Sequence, residues 1–260
     1  MAAALFNRLA DPSKARALSA GTNPGTRVHP EVVAAMRELG VDLAGGRPQR
    51  LTEELAAGAA LLVTMGCGEA CPVVPGVARD DWPLEDPKGK PIERVREIRN
   101  ELEARVQELM LAEAWSPWTI RDARAEDRAG VEALLQAAKL PIQGVAEHVA
   151  SFVVADAASR ELTGAAGLEL YGTSALLRSL VVDADSNRRG LGSLLTRRAL
   201  AKARSSGATE VFLLTETAQA FFERRGFQRV ARSAVAPAVT ASSEFNGACP
   251  DSATVLRRQL

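Results

Sequence analysis

Histidine and cysteine are scarce in this chain: two histidines (His29, His148) and three cysteines (Cys67, Cys71, Cys249) stand among 260 residues. So few imidazoles argue against a histidine-rich metal site, and we expect no resident metal. Three thiols do not make the disulfide framework of a small secreted protein. Excess charge of either sign is missing as well, with 32 basic against 32 acidic residues. No global positive field would draw the chain to nucleic acid or to an anionic membrane surface, so any anion site has to be local. No apolar run approaches the ~18 residues that span a bilayer, and no hydrophobic signal region with a cleavage site opens the chain, so the expected location is cytoplasmic. What is present is an ordinary globular composition, 47% hydrophobic, in a length that suits two domains.

The densest signal lies between Ala175 and Leu200. The apolar run Leu176 to Val182 reads as a strand and Asp183 to Asn187 as a polar turn. Gly190 and Gly192 then open a helical pattern with Leu194, Leu195 and Leu200 on one side. Glycines at such a joint let a ligand approach amides that have no partner in the first helical turn. The helix dipole and the guanidinium groups of Arg188 and Arg189 complete an anion site that a pyrophosphate would fit. A basic surface turn is the plain alternative.

Around it the pattern is α/β. Met1 to Leu9 is helical, Ala15 to Ala20 is a short strand candidate, and Pro30 opens a helix over Glu31 to Leu39 that Gly40 ends. Ala59 to Met65 suits a buried parallel strand, Cys67 to Pro91 a long loop, and Ile92 to about Leu111 a charged amphipathic helix. Domains are expected at residues 1–112 and 119–260, joined by a linker at 113–118. In the second, strands at Thr119 to Arg121, Phe152 to Ala155, Gly164 to Leu170 and Leu176 to Val182 flank a helix ending near Ala138 and a helical turn at Val145 to Val149. Further strands follow at Val211 to Thr215, near Phe227 to Ala231 and at Thr254 to Arg257, with a helix at Ala218 to Arg225. Strand alternation puts Glu169 and Tyr171 on one face. With Arg178, a planar fork for a carboxylate, arsinate or phosphinate, they could line one pocket. Exposed, packing or ion-paired surface roles are the alternative for all three. His148 and Cys249 read as packing residues.

The run Val181 to Leu195, the strand Val211 to Thr215 and AFFERRGF (Ala220 to Phe227) resemble the Gcn5-related N-acetyltransferase (GNAT) superfamily. More narrowly, GLELYG (Gly167 to Gly172), ALLRSLVV, LLTETAQAFFERRGF and SSEFNGACPDSA (Ser242 to Ala253) resemble the arsenic-resistance N-acetyltransferases, over roughly Trp118 to Leu260. The resemblance implies acetyl-CoA as cosubstrate and a small anionic amino acid, of the arsinothricin or phosphinothricin kind, as acceptor. It implies that Leu180, Val181 and Val182 meet the pantetheine arm, with the Leu180 N–H polarising the thioester carbonyl. Arg188, Arg189, Gly190, Leu191, Gly192 and Ser193 would hold the pyrophosphate. Glu169 would take the ammonium proton through water. Two positions depart from the pattern: Asn187 stands where the superfamily has Gln or Arg, and Phe222 where it commonly has a tyrosine that protonates the leaving thiolate. Thr217 is a substitute donor on the substrate side. A homodimer stays open.

The pieces MAAALFNRLAD, SAGTNPGTRVHPEVVAAMRELGVDL, LLVTMGCGEACPVVPG and DDWPLEDPKGKP resemble low-molecular-weight phosphatase-like arsenate reductases over roughly residues 1 to 112. That family's C-x5-R-S loop, whose cysteine attacks arsenate, stands just before the helix that begins this sequence. Asp86 matches its general acid, and Cys71, less clearly Cys67, a second thiol. The resemblance implies an incomplete phosphatase-like parallel-sheet domain followed by an acyl-CoA N-acyltransferase mixed-sheet domain. A general acid and a spare thiol do no nucleophilic chemistry alone. An upstream start restoring the loop would add arsenate reduction with a thiol reductant as partner. Otherwise Cys67 and Cys71 are ordinary residues or a reduced pair that holds arsenite or zinc.

Overall fold

The computed structural model describes residues 1–66, 74–187 and 189–260 and divides into two units, Met1–Trp115 and Ser116–Leu260. The first unit opens with α1 (Ala2–Leu9), which buries Leu5, Phe6 and Leu9. Next come α2 (Pro30–Arg37), with proline in its first turn, and α3 (Glu53–Ala57), where the Thr52 hydroxyl accepts the Leu55 amide at 3.2 Å. Strands β1 (Leu61–Thr64) and β2 (Ala78–Asp81) pair in parallel, from Leu61 opposite Ala78 to Thr64 opposite Asp81. The long α4 (Ile92–Ala112) closes the unit, and its stripe Val95, Leu102, Val106 and Met110 packs on α1 and α2.

Three expectations change here. Residues 15–20 form no strand; their neighbourhood holds only a bridge between Gly21 and Arg50, because a strand exists only where a neighbour completes its ladder. Inside the expected loop 67–91, residues 78–81 have found such a neighbour in β1. The capped α3 was not foreseen.

In the second unit β3 (Trp118–Asp122) is followed by α5 (Arg128–Ala137) and the single turn α6 (Val145–His148). Then β4 (Val153–Ala157), β5 (Leu162–Tyr171) and β6 (Ser174–Val182) run as an antiparallel meander with β3. The crossover helix α7 (Leu191–Ser205) delivers β7 (Glu210–Thr215) parallel to β6. After α8 (Gln219–Glu223) come the two-residue β8 (Gln228–Arg229) and β9 (Thr254–Gln259), giving a mixed sheet of order β3-β4-β5-β6-β7-β9-β8. One face packs Ala175, Leu177, Val211 and Leu213 under Leu191, Leu194, Leu195 and Ala199 of α7. The other face has α5 and α6 over Val154, Ala165 and Val181, and the turns carrying Val235 and Val239 over Leu176, Phe212 and Val255. Among the described residues no helix is long and apolar enough to cross a membrane.

Candidate active site

The sheet is split where its direction changes. β6 and β7 pair only from Ser174–Glu210 to Leu176–Phe212, yet β6 continues to Val182 and β7 to Thr215. Beyond Leu176 the edge of β6 that faces β7 has no ladder partner among the described residues, and Leu180, Val181 and Val182 lie on that stretch. Ser179 sits at the start of it with φ 53°, at a register shift against β5, the mark of a β-bulge. Before the bulge Ala175 and Leu177 face α7; after it Leu180 and Val182 do, while Val181 turns to the opposite core. One extra residue has exchanged the faces of the strand.

The turn after β6 ends at Gly190, whose φ of 92° is left-handed and suits a residue without a Cβ. The amides of Ser193 and Leu194 return to the Gly190 carbonyl at 3.0 and 3.2 Å. Those of Leu191 and Gly192 have no backbone acceptor among the described residues, as expected of a first helical turn. Positive charge is concentrated there. The guanidinium of Arg225 lies 3.5 Å over the Phe221 ring, donates to the Phe221 carbonyl at 2.6 Å and to the Ser193 hydroxyl, and Arg189 lies 5.2 Å over Trp118. An anion of phosphate type is what this end of α7 would attract. Arg188 falls outside the described residues.

On the sheet face away from α7, a second constellation gathers Glu169 and Tyr171 from β5 and Arg178 from β6. Glu169, 1% exposed, accepts Arg178 Nη1 at 2.5 Å through Oε1 and the Tyr171 hydroxyl at 2.5 Å through Oε2. Arg178 also reaches Glu244 at 2.8 Å, Ser179 Oγ at 3.2 Å, Ser243 Oγ at 3.4 Å and the Gln143 carbonyl. These partners consume the five N–H groups of a guanidinium. The fork expected to face a substrate anion is therefore spent inside the protein. Gly144, at φ 78°, makes room for it: a Cβ there would stand 2.5 Å from Arg178 Nη1. Burial pushes the Glu169 carboxyl up, but hydrogen bonds from Tyr171, Ser242 and Arg178 outweigh it and hold the group below its usual range. Tyr171 is pushed up to about 12 by burial and by the Glu169 carboxylate. Cys249, whose Sγ lies 2.6 Å from Glu244 Oε2, is pushed up to about 12 by burial and by that carboxylate, so it stays a thiol. His148 Nε2 stands 4.0 Å from Glu169 Oε1 at the mouth of the cluster.

Residues 1–116 match the family model of the low molecular weight phosphotyrosine protein phosphatases, and residues 148–229 match that of the acetyltransferase (GNAT) domain. The two matches follow one another along the chain, a phosphatase-type part first and a GNAT domain second. In the phosphatase-type part it is 39% identical over 92 residues to a candidate arsenate reductase of Halobacterium salinarum, covering 35% of this chain and 65% of that protein. It is 33% identical over 88 residues to the glutaredoxin arsenate reductase of Synechocystis, covering 33% of this chain and 67% of the relative. The chain thus spans about two thirds or slightly less of the curated relatives it matches. N-acetylglutamate synthase of Neisseria gonorrhoeae, solved with coenzyme A and N-acetyl-glutamate, superposes at a TM-score of 0.52 with 17% identity, over 94% of this chain and 73% of that one. At that identity the likeness speaks for the fold.

Within the GNAT domain the structure brings Glu169, Tyr171 and Arg178 into one cluster, and Leu180 to Ser193 around the split and the α7 terminus. Thr217 is exposed just past β7, with no hydrogen-bond partner that the structure assigns, and Phe222 is buried against Phe221 and Phe227. Glu244, Ser243 and Arg225 were missed: the first two arrive on the long connection between β8 and β9, Arg225 folds back from just past the end of α8, and no local pattern in the sequence announces where such a residue lands. In the phosphatase-type part Cys67 and Cys71 lie outside the described residues. Asp86 is exposed and accepts the Lys88 amide at 2.9 Å, closing the turn before α4.

Proposed function

We propose that the GNAT domain transfers the acetyl group of acetyl-CoA to the amino group of a small amino acid. The observation that carries this reading is the α7 terminus, where the Leu191 and Gly192 amides have no backbone acceptor among the described residues and Arg225 adds charge, beside a stretch of β6 with no ladder partner on its β7 side among those residues. A diphosphate ester can rest on the former while an amide-bearing arm lines the latter. In this reading Arg189, Gly190, Leu191, Gly192 and Ser193, with Arg188, hold the pyrophosphate. Leu180, Val181 and Val182 meet the arm, and the Leu180 N–H meets the thioester oxygen, where negative charge develops. Phe222 has no proton to give, so the leaving thiolate takes one from water or from the Thr217 hydroxyl. The acceptor enters on the opposite face, towards Glu169 and Tyr171.

For the acceptor we infer arsinothricin or phosphinothricin, and arsenic resistance as the setting. The support is the partnership of a GNAT domain with a part whose relatives bear the name arsenate reductase, and the likeness of Gly167 to Gly172 and Ser242 to Ala253 to arsenic-resistance acetyltransferases. For the phosphatase-type part the corresponding proposal is conditional: arsenate is reduced with an external thiol only in a chain that carries the C-x5-R-S loop, which these 260 residues do not contain, and Asp86 is the member of the expected set with a described position. CoA release should be measured with acetyl-CoA against arsinothricin, phosphinothricin, glutamate and unrelated amines. Turnover on the first two alone supports the detoxification reading; turnover on other amines keeps the acetyltransferase and discards the acceptor. Gly190→Glu places bulk and negative charge in the nest and is expected to abolish acetyl-CoA binding in calorimetric titration. Normal binding would sink the assignment of the turn.

A further inference from the structure

The acetyltransferase reading needs a group that removes a proton from the acceptor ammonium, since only the neutral amine carries a lone pair. Glu169 is poorly placed for that work. It is 1% exposed, Arg178 occupies Oε1 and Tyr171 occupies Oε2. A carboxylate held below its usual range by three donors is also a weak base. Tyr171 and Cys249, both pushed up to about 12, keep their protons at neutral pH. Glu244 is bound to Arg178 and Cys249. Among the described residues one ionisable side chain at the cluster combines access to solvent with nearness to Glu169. It is His148 of α6, 36% exposed, its Nε2 4.0 Å from Glu169 Oε1.

Charged groups from several elements surround that ring. From β5 it meets Glu169 and Tyr171. Beyond Glu169 stand Arg178 from β6 and Glu244 and Cys249 from the connection between β8 and β9, and Glu147 precedes it on α6, with Arg128 of α5 acting on Glu147. Two carboxylates against one guanidinium leave the buried cluster with one negative charge over.

We infer that His148 is the general base of the acetyl transfer, with Glu169 as the positioning residue that orients its ring and steadies the imidazolium. The assignment rests on the acetyltransferase reading of this site. The ring nitrogen turned towards Glu169 carries a hydrogen, and the other takes one proton from the acceptor ammonium and passes it to solvent. The freed nitrogen lone pair forms the C–N bond at the acetyl carbonyl. The C–S bond breaks with its electron pair on sulfur, which is protonated by water or the Thr217 hydroxyl, and the proton shed as the amine becomes an amide replaces the one so given. The surplus negative charge gives the same cluster an affinity for the acceptor as a cation, before the proton leaves. Arg178 then fixes Glu169 and binds no substrate acid group.

The test compares wild type with His148→Gln and His148→Asn, using phosphinothricin and glutamate as ammonium acceptors and hydroxylamine as one already uncharged at neutral pH. Expected are unchanged acetyl-CoA affinity, a loss of about 100-fold or more in kcat with the ammonium acceptors, disappearance of the acid limb of the pH–rate profile, and hydroxylamine turnover within about twofold of wild type. Equal loss with hydroxylamine, or a wild-type pH profile in either variant, overturns the assignment. A wild-type protein that fails to bind acetyl-CoA overturns the acetyltransferase reading itself and the role of His148 with it.

Discussion

Arg178 shows how much of a site depends on a single side chain. Its neighbours Glu169 and Tyr171 were legible because strand alternation is a local rule, and two residues apart on β5 means the same face. Its other partners were not, because Glu244 and Gln143 arrive on loops whose paths no periodicity encodes. The sequence shows a cation able to grip a substrate; the fold shows that cation already satisfied. The same geometry makes a prediction about acid. The Glu169 carboxyl is held below its unfolded value of 4.5, so its ionised form stabilises the folded GNAT domain fully above that value. That contribution is lost as pH falls through the lower, folded value. Thermal melts between pH 7 and pH 3 are expected to show the loss, and Glu169→Gln, which has no proton to gain, should flatten the decline. An equal acid decline in that variant would assign the effect to other carboxylates.

Among the elements, α4 was the most readable, since its apolar stripe runs for several turns and needs no partner to be recognised. Residues 15–20 and 78–81 were misjudged for the opposite reason. A strand is a property of a pair, and the apolar pattern of one member says nothing about whether the other is there. α4 also carries a group that no stripe would contain. Arg99, fully buried, donates to the Ala35 carbonyl at 2.6 Å and to Glu38 at 2.8 Å, fastening α4 to the end of α2. Glu38→Ala leaves that guanidinium without a counter-charge. We expect a loss of about 2–3 kcal/mol in the first unit, less than for a fully buried pair because Glu38 is partly solvated. Chemical denaturation followed at Trp82 and Trp115, which belong to that unit's core, measures it.

At the scale of the molecule, each unit has its own hydrophobic core, one around α4 and the others on the two faces of the mixed sheet. Two calorimetric transitions are expected, and residues 116–260 expressed alone should fold and bind acetyl-CoA with the affinity of the whole chain. A single transition, or a fragment that does not fold, would show that the units depend on one another. The bulge at Ser179 sets a different kind of constraint on the whole GNAT domain. Upstream of it the strand is counted in one frame and downstream in the other, so its two halves agree only while the number of residues between them is kept. Side chains along β6 can be exchanged for others of like size. A second residue inserted beside Ser179 would act as a frameshift in space, turning Leu180 and Val182 away from α7 and Val181 towards it, with every codon after it still read correctly.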